Sequence, residues 1–218
     1  LTAGEKKFLE ILKLSYKNEI GVYIYIQPRI KNLEPDFIII DPARGVCIIE
    51  VKDWRLSSLS KVSRLEVDFK NGCTDDNPAF KTNRYFKLIQ GVLEAETSLY
   101  DDKGGFIPLI TARLVMTKMD ESDLSQIYQE LNFYPCKCLS SDVFKKFSLR
   151  LLFGEETSHL SEQQIAVCRS AFFPEIKIKT SGIEVIQNIK VCDAGQEEFA
   201  KNLPYGHSMV SGVPGSGK

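Results

Sequence analysis

EPDFIIIDPARGVCIIEVK, residues 34–52, carries two apolar runs, DFIIID and VCIIEVK, joined by Pro42-Ala-Arg-Gly45. Pro42 suits the first central position of a turn, and Gly45 suits a left-handed residue closing it, so the stretch is predicted to be an antiparallel hairpin. Both runs are apolar on both faces, as in central strands covered by helices. Side chains alternate along a strand, so Glu50 and Lys52 share a face. A turn centred on Ala43 sets Asp36 directly opposite Glu50 on that face, whereas a slip of one residue sends Asp36 to the other side.

Two carboxylates and a lysine on an apolar central sheet are costly to bury, by several kcal/mol if left alone. Two readings answer that cost. In one, Asp36, Glu50 and a nearby main-chain carbonyl hold Mg²⁺ or Mn²⁺, hard cations that prefer oxygen ligands. Such a cation polarises a phosphate oxygen and acidifies a bound water, with Lys52 orienting that water or neutralising charge on phosphorus. In the other, the lysine and a carboxylate form a buried ion pair. Spacing alone leaves both open. On the first reading, loss of Glu50 or Lys52 is expected to abolish cleavage while leaving stability intact or improved.

Outward from the hairpin, AGEKKFLEILKLSYK (3–17) places Phe8, Ile11, Leu12 and Tyr16 at helical spacing. Glu5 falls on that apolar stripe. It either complements the helix dipole in the first turn or points a carboxylate into a site. VYIYIQP (22–28) reads as a strand, and 61–72 as a more exposed hairpin arm. Asn77-Pro78 opens a helix through about Tyr100, whose apolar residues are Phe80, Leu88, Val92, Leu93 and Leu99. ARLVMTK (112–118) reads as a strand, and Leu124–Leu131 as a helix. Asp142–Leu152 reads as a helix capped by Ser141 or Asp142, and Ser161 begins a helix that ends at Pro174.

In 218 residues, 43% hydrophobic and 26% charged, there is material for one full core and an appendage. No run approaches the ~20 apolar residues of a membrane span, and no leader is evident. Six cysteines without a regular framework fit free thiols in a reducing, cytoplasmic setting. Cys136 and Cys138 form a lone C-x-C, which reads as strand or loop thiols rather than zinc ligands. A net charge of −1 excludes a uniformly cationic chain, though not a local basic groove. From Arg44 to Gln90, nine Lys/Arg face six Asp/Glu, and Arg55, Lys81 and Arg84 are the candidates for phosphate contact.

Pro35-Asp36, then Glu50-x-Lys52, resembles the PD-(D/E)xK nuclease signature. GEKKFLEIL, PDFIIID, IIEVKDW, Asn77-Pro78, ARLVMTK and CLSSDV, in that order, more narrowly resemble the nuclease-related domain called NERD, over most of residues 3–150. The resemblance implies an α/β, restriction-endonuclease-like core, a central mixed sheet flanked by helices. It also implies DNA as substrate, metal ligands at Asp36 and Glu50, a catalytic lysine at Lys52 and a helix acid at Glu5. Related nucleases often carry a glutamine soon after the Asn-Pro, four residues before an aromatic. This chain has Lys81 there, with Tyr85 as the aromatic. Trp54 could stack on a base but reads better as a packed core-edge residue.

The C-terminal stretch points to a second module. Gly212-Val-Pro-Gly215-Ser216-Gly217-Lys218 reads G-x-x-x-x-G-K after the short apolar strand HSMV, the setting of a phosphate loop for ATP. With Gln196 sixteen residues upstream, DAGQEEFAKNLPYGHSMVSGVPGSGK resembles the opening of a UvrD-like helicase, in which that glutamine reads adenine. The expected organisation is a nuclease-like domain over 1–152, a helical and extended connector over 153–192, and the start of a phosphate-loop motor over 193–218. The chain thus reads as a piece of a longer DNA-processing protein. The expected activity is Mg²⁺-dependent DNA cleavage coupled to an ATP-driven helicase. The rival is a non-catalytic DNA-binding module that assists the helicase.

Overall fold

Thr2 starts helix α1 (Ala3–Ser15) by accepting from the Glu5 amide, while the Glu5 carboxylate reaches back to the Thr2 amide. This reciprocal capping box satisfies two of the donors a helix start leaves open. Phe8 and Leu12, on one stripe, are wholly buried. The computed structural model describes residues 1–30 and 33–172. Of the expected connector over 153–192, residues 173–192 lie outside the described residues, as does the expected start of a phosphate-loop motor over 193–218 with its strand HSMV. So do Gln196, Gly212, Gly215, Ser216, Gly217 and Lys218.

Strand β1 (Tyr23–Ile26) leads to β2 (Phe37–Asp41) and β3 (Gly45–Lys52). The β2–β3 register pairs Phe37 with Ile49 and Asp41 with Gly45, which centres the turn on Ala43. Gly45 has φ of +102°, and a Cβ there would run into the carbonyl of Leu109, whose oxygen accepts the Val46 amide at 2.8 Å. Turn geometry and a close backbone approach both require glycine at this point. Ile38, Ile39, Ile40, Ile48 and Ile49 are fully buried, each contributing about 1.5–3 kcal/mol of transfer free energy.

Next come β4 (Leu59–Val62), β5 (Glu66–Phe69) and β6 (Thr74–Asp76), a separate antiparallel three-stranded sheet. Helix α2 (Pro78–Glu94) follows, then β7 (Ile110–Met116), α3 (Glu121–Ser125), α4 (Tyr128–Leu131), β8 (Cys136–Leu139), α5 (Leu149–Phe153) and α6 (Glu162–Phe172). The main sheet runs β1-β2-β3-β7-β8, antiparallel across its first three strands and parallel from β3 to β8. This is the mixed α/β sheet that the sequence led us to expect. The compact unit spans Leu1–Phe172, extending past residue 152.

Alternation sorts the two faces. Phe37, Ile49, Val51 and Val115 pack with Phe8 and Leu12 of α1 and Leu152 of α5. Leu114 and Met116 pack with Ala79 of α2 and with Cys136 and Cys138, two free thiols on β8. Glu50 pairs in register with Leu114 and Lys52 with Met116, so both belong to the α2 side.

Several boundaries differ from the sequence reading. Helix α2 stops at Glu94 rather than near Tyr100. The Tyr100 hydroxyl donates to the Glu94 carbonyl at 3.0 Å, and a short 3₁₀ turn covers Thr97–Leu99. Its buried face is Ala79, Thr82, Tyr85, Ile89 and Leu93, while Phe80, Leu88 and Val92 are only partly covered. The expected Asp142–Leu152 helix is two pieces. Ser140 caps a 3₁₀ turn over Ser141–Phe144, and Ser148 caps α5. The expected Leu124–Leu131 helix likewise divides into α3 and α4.

Candidate active site

Glu50 lies near the end of β3 and is 1% exposed. Its Oε1 lies 3.0 Å from Lys52 Nζ and 3.1 Å from Lys81 Nζ. Its Oε2 is buried with no hydrogen-bond partner. A carboxylate oxygen left bare in the interior is expensive, so that atom marks where a positively charged group would be stabilised.

Asp36 immediately precedes β2, and continuing the register by one step places it opposite Glu50. Its Oδ2 accepts the Val51 amide at 2.7 Å. Burial, then the charge of Glu50, push the Asp36 carboxyl up to about 7; Glu5 adds to this, while the Val51 amide and Lys52 oppose it. Asp36, Glu50, Glu5 and Lys52 therefore share one electrostatic neighbourhood. Glu5 is 5% exposed and accepts from Gln27 Nε2 at 3.2 Å. The carboxylate that caps α1 also adds its charge to those acting on Asp36.

Lys81 reaches the site because Asn77 fixes the start of α2. The Asn77 side chain accepts from the Ala79 and Phe80 amides and donates to the carbonyls of Ser63 and Glu130. Against burial, which disfavours its charge, the attraction of Glu50 and contact with Tyr85 hold the Lys81 ammonium more firmly protonated. Tyr85 is buried, donates to the Glu34 carbonyl at 3.3 Å and lies beneath Lys81, 5.6 Å from ring centre to Nζ. Leu33, Glu34, Asp76, Lys81, Arg84 and Tyr85 line an open cleft of about 320 Å³. Arg84 and Arg55 are exposed. Trp54 meets Phe69 edge-on at 5.0 Å and packs at the margin of the α2-side core.

Four contributors, Asp53, Gly4, Gln27 and Thr2, were not singled out from the sequence. Asp53 accepts the Gly4 amide at 3.0 Å and the Thr117 hydroxyl, tying the start of α1 to the end of β3. A Cβ on Gly4 would overlap Asp53 Oδ1 and crowd the Thr117 methyl at 2.7 Å. Gln27, at φ of 47°, holds Glu5 with its side chain and the Asp36 carbonyl with its amide. Thr2-x-x-Glu5 was a readable capping signature. The Asp53–Gly4 link, across 49 positions, has no local signal.

Asp36 and Glu50 are oxygen donors suited to a hard divalent cation, and the bare Glu50 Oε2 fits such a ligand. Among the described residues, no group of three His, Cys, Asp or Glu side chains forms a ready metal-holding cluster. Nor is any described helix long and apolar enough to cross a membrane. The model of the family described as nuclease-related domain matches residues 2–116, from the cap of α1 to the end of β7. No curated protein and no solved structure matches the chain.

Proposed function

The chain belongs to the nuclease-related domain family, and on that premise we propose that it hydrolyses phosphodiester bonds in DNA at the Asp36–Glu50–Lys52 site with a divalent metal ion. One observation carries the reading: a carboxylate 1% exposed, with an unpartnered Oε2, stands beside a second carboxyl raised to about 7. Asp36 and Glu50 would hold Mg²⁺ or Mn²⁺. When bound, the cation supplies polarisation of a phosphate oxygen and acidification of a water. Lys52 brings positive charge to the same face and steadies charge developing on the phosphate. Glu5 adds negative potential from α1, favouring cation capture. Arg84, Lys81 and Tyr85 line the cleft, and the exposed Arg84 and Arg55 are the residues proposed to meet backbone phosphates.

A second reading is favoured by Lys81, whose ammonium already neutralises Glu50 Oε1. It makes the domain a non-catalytic DNA-binding module. The segment from Gln196 to Lys218 supports, from sequence alone, an ATP-dependent helicase that follows the domain, and DNA-stimulated ATP hydrolysis by the full-length protein tests it. For the nuclease, the purified chain is incubated with single- and double-stranded DNA of varied ends in Mg²⁺, Mn²⁺ or EDTA. The expected result is cleavage that EDTA and Glu50→Gln abolish. DNA binding without cleavage would select the second reading, and neither binding nor cleavage would sink both.

A further inference from the structure

The oxygens of the acidic group are unequally committed. Glu50 Oε1 is shared by two ammonium groups, at 3.0 and 3.1 Å, while Oε2 is bare. Asp36 gives Oδ2 to the Val51 amide. Glu5 gives Oε2 to Gln27 and to the Thr2 amide, each at 3.2 Å. A pair of metal ions, ~3.5–4 Å apart in two-metal sites, is commonly held by a bridging carboxylate, and here each candidate already has one oxygen engaged. Neither Asp36 nor Glu50 has both oxygens free.

Charge leads to the same conclusion. Asp36, Glu50 and Glu5, when ionised, bring three negative charges, and Lys52 and Lys81 bring two positive ones. One divalent ion and one phosphodiester restore neutrality. A second divalent ion would leave a double positive charge in a half-buried site, and uncompensated charge there is costly.

From this arrangement we infer that the Lys81 ammonium takes the place of a second metal ion, so that the site holds a single divalent cation between Glu50 Oε2 and Asp36. The inference rests on the metal-dependent reading above. Lys81 acts here through Glu50 as a positioning residue. It satisfies Oε1, turns the remaining coordination towards Oε2, and keeps a fixed positive charge beside the cleft shared with Arg84. Unlike a second ion, that charge cannot dissociate.

The test is binding rather than turnover. EDTA-stripped full chain is titrated with Mn²⁺ by calorimetry, and the loaded protein is examined by electron paramagnetic resonance. Wild type should bind one Mn²⁺ per chain with the spectrum of an isolated ion. Lys81→Met, which removes the charge without adding an oxygen ligand, should bind Mn²⁺ about tenfold tighter or more, because a nearby like charge is gone. Lys81→Gln should tighten binding too. The Lys81 side chain is 35% exposed, so these variants are expected to fold, and the wild-type stoichiometry decides even if they do not. Two spin-coupled ions in the wild type, or unchanged affinity in Lys81→Met, would overturn the inference and leave the nuclease reading standing. No Mn²⁺ binding by any form would overturn both.

Discussion

Lys52 Nζ lies 3.0 Å from Oε1 of Glu50, two residues earlier on the same strand. Alternation on β3 puts the two side chains on one face, and Lys81 approaches the same oxygen from α2 at 3.1 Å. The sequence left two answers to the burial cost of Glu50, an ion pair or a metal ligand. The two oxygens answer separately: Oε1 is paired and Oε2 is bare.

This changes what Glu50 and Lys52 variants should do. From the sequence, removing either was expected to leave stability unchanged or improved. Because Glu50 is in contact with two lysines, Glu50→Ala strands both ammonium groups, and we expect a loss of about 1–3 kcal/mol, below the full buried-pair value since both lysines reach solvent. Lys52→Ala leaves Lys81 in place and should cost less, about 1 kcal/mol. Urea unfolding measures both. Cleavage should fall by at least about a hundredfold in each, and undiminished cleavage in both would place the chemistry elsewhere.

Asp36 gives the stability a pH dependence. Its folded-state value, about 7, exceeds the ~3.9 of an unfolded aspartate. Its contribution is therefore full below about pH 4 and lost as pH rises towards 7. In EDTA the melting temperature should fall between about pH 4.5 and 7.5, and Asp36→Asn should flatten the profile by about 1–2 kcal/mol after solvent screening. Saturating Mg²⁺ should abolish the fall, since a cation favours the ionised carboxylate. A wild-type profile already flat in EDTA would contradict the placement of this carboxyl.

Gly4→Ala should destabilise the fold by about 1–3 kcal/mol through overpacking, because its Cβ meets Asp53 and Thr117. Although burial opposes it, the Thr117 hydroxyl and Gly4 amide hold the Asp53 carboxyl below its usual range. Pairing the change with Asp53→Ala tests the contact directly. The double variant should be less destabilised than the sum of the singles, and strict additivity would rule out this contact.

Arg84→Ala should weaken DNA binding without altering stability by more than about 0.5 kcal/mol. If Arg84 meets a phosphate, the slope of log affinity against log salt should become shallower by about one. A parallel slope would remove Arg84 from the interface.

The hairpin was legible because its determinants are local. Pro42 and Gly45 fix the turn, and the turn fixes which side chain faces Glu50. Helix starts at Asn77-Pro78 and Ser161 were legible through capping chemistry. The break between Phe144 and Leu149 was not, because Val143, Phe144, Phe147 and Leu151 keep a helix-like spacing while Ser140 and Ser148 cap separate turns. Lys81 could be noted as a departure from related nucleases. Its contact with Glu50 depends on how α2 docks on β3 and β7, which no local pattern encodes. The clamp of Asp53 on Gly4 is hidden for the same reason.

The last paired residues beside the turn, Asp41 and Gly45, lie five residues from Asp36 and Glu50 respectively, about 17 Å along the strands. The turn works as a ruler whose zero mark is Ala43. Deleting or inserting one residue there would advance one arm by a single step and turn Asp36 away from Glu50, with every site residue still present in the chain. An alignment scored only on the acids and the lysine would miss such a loss, so a relative should be judged by the length of its turn as well as by its motif.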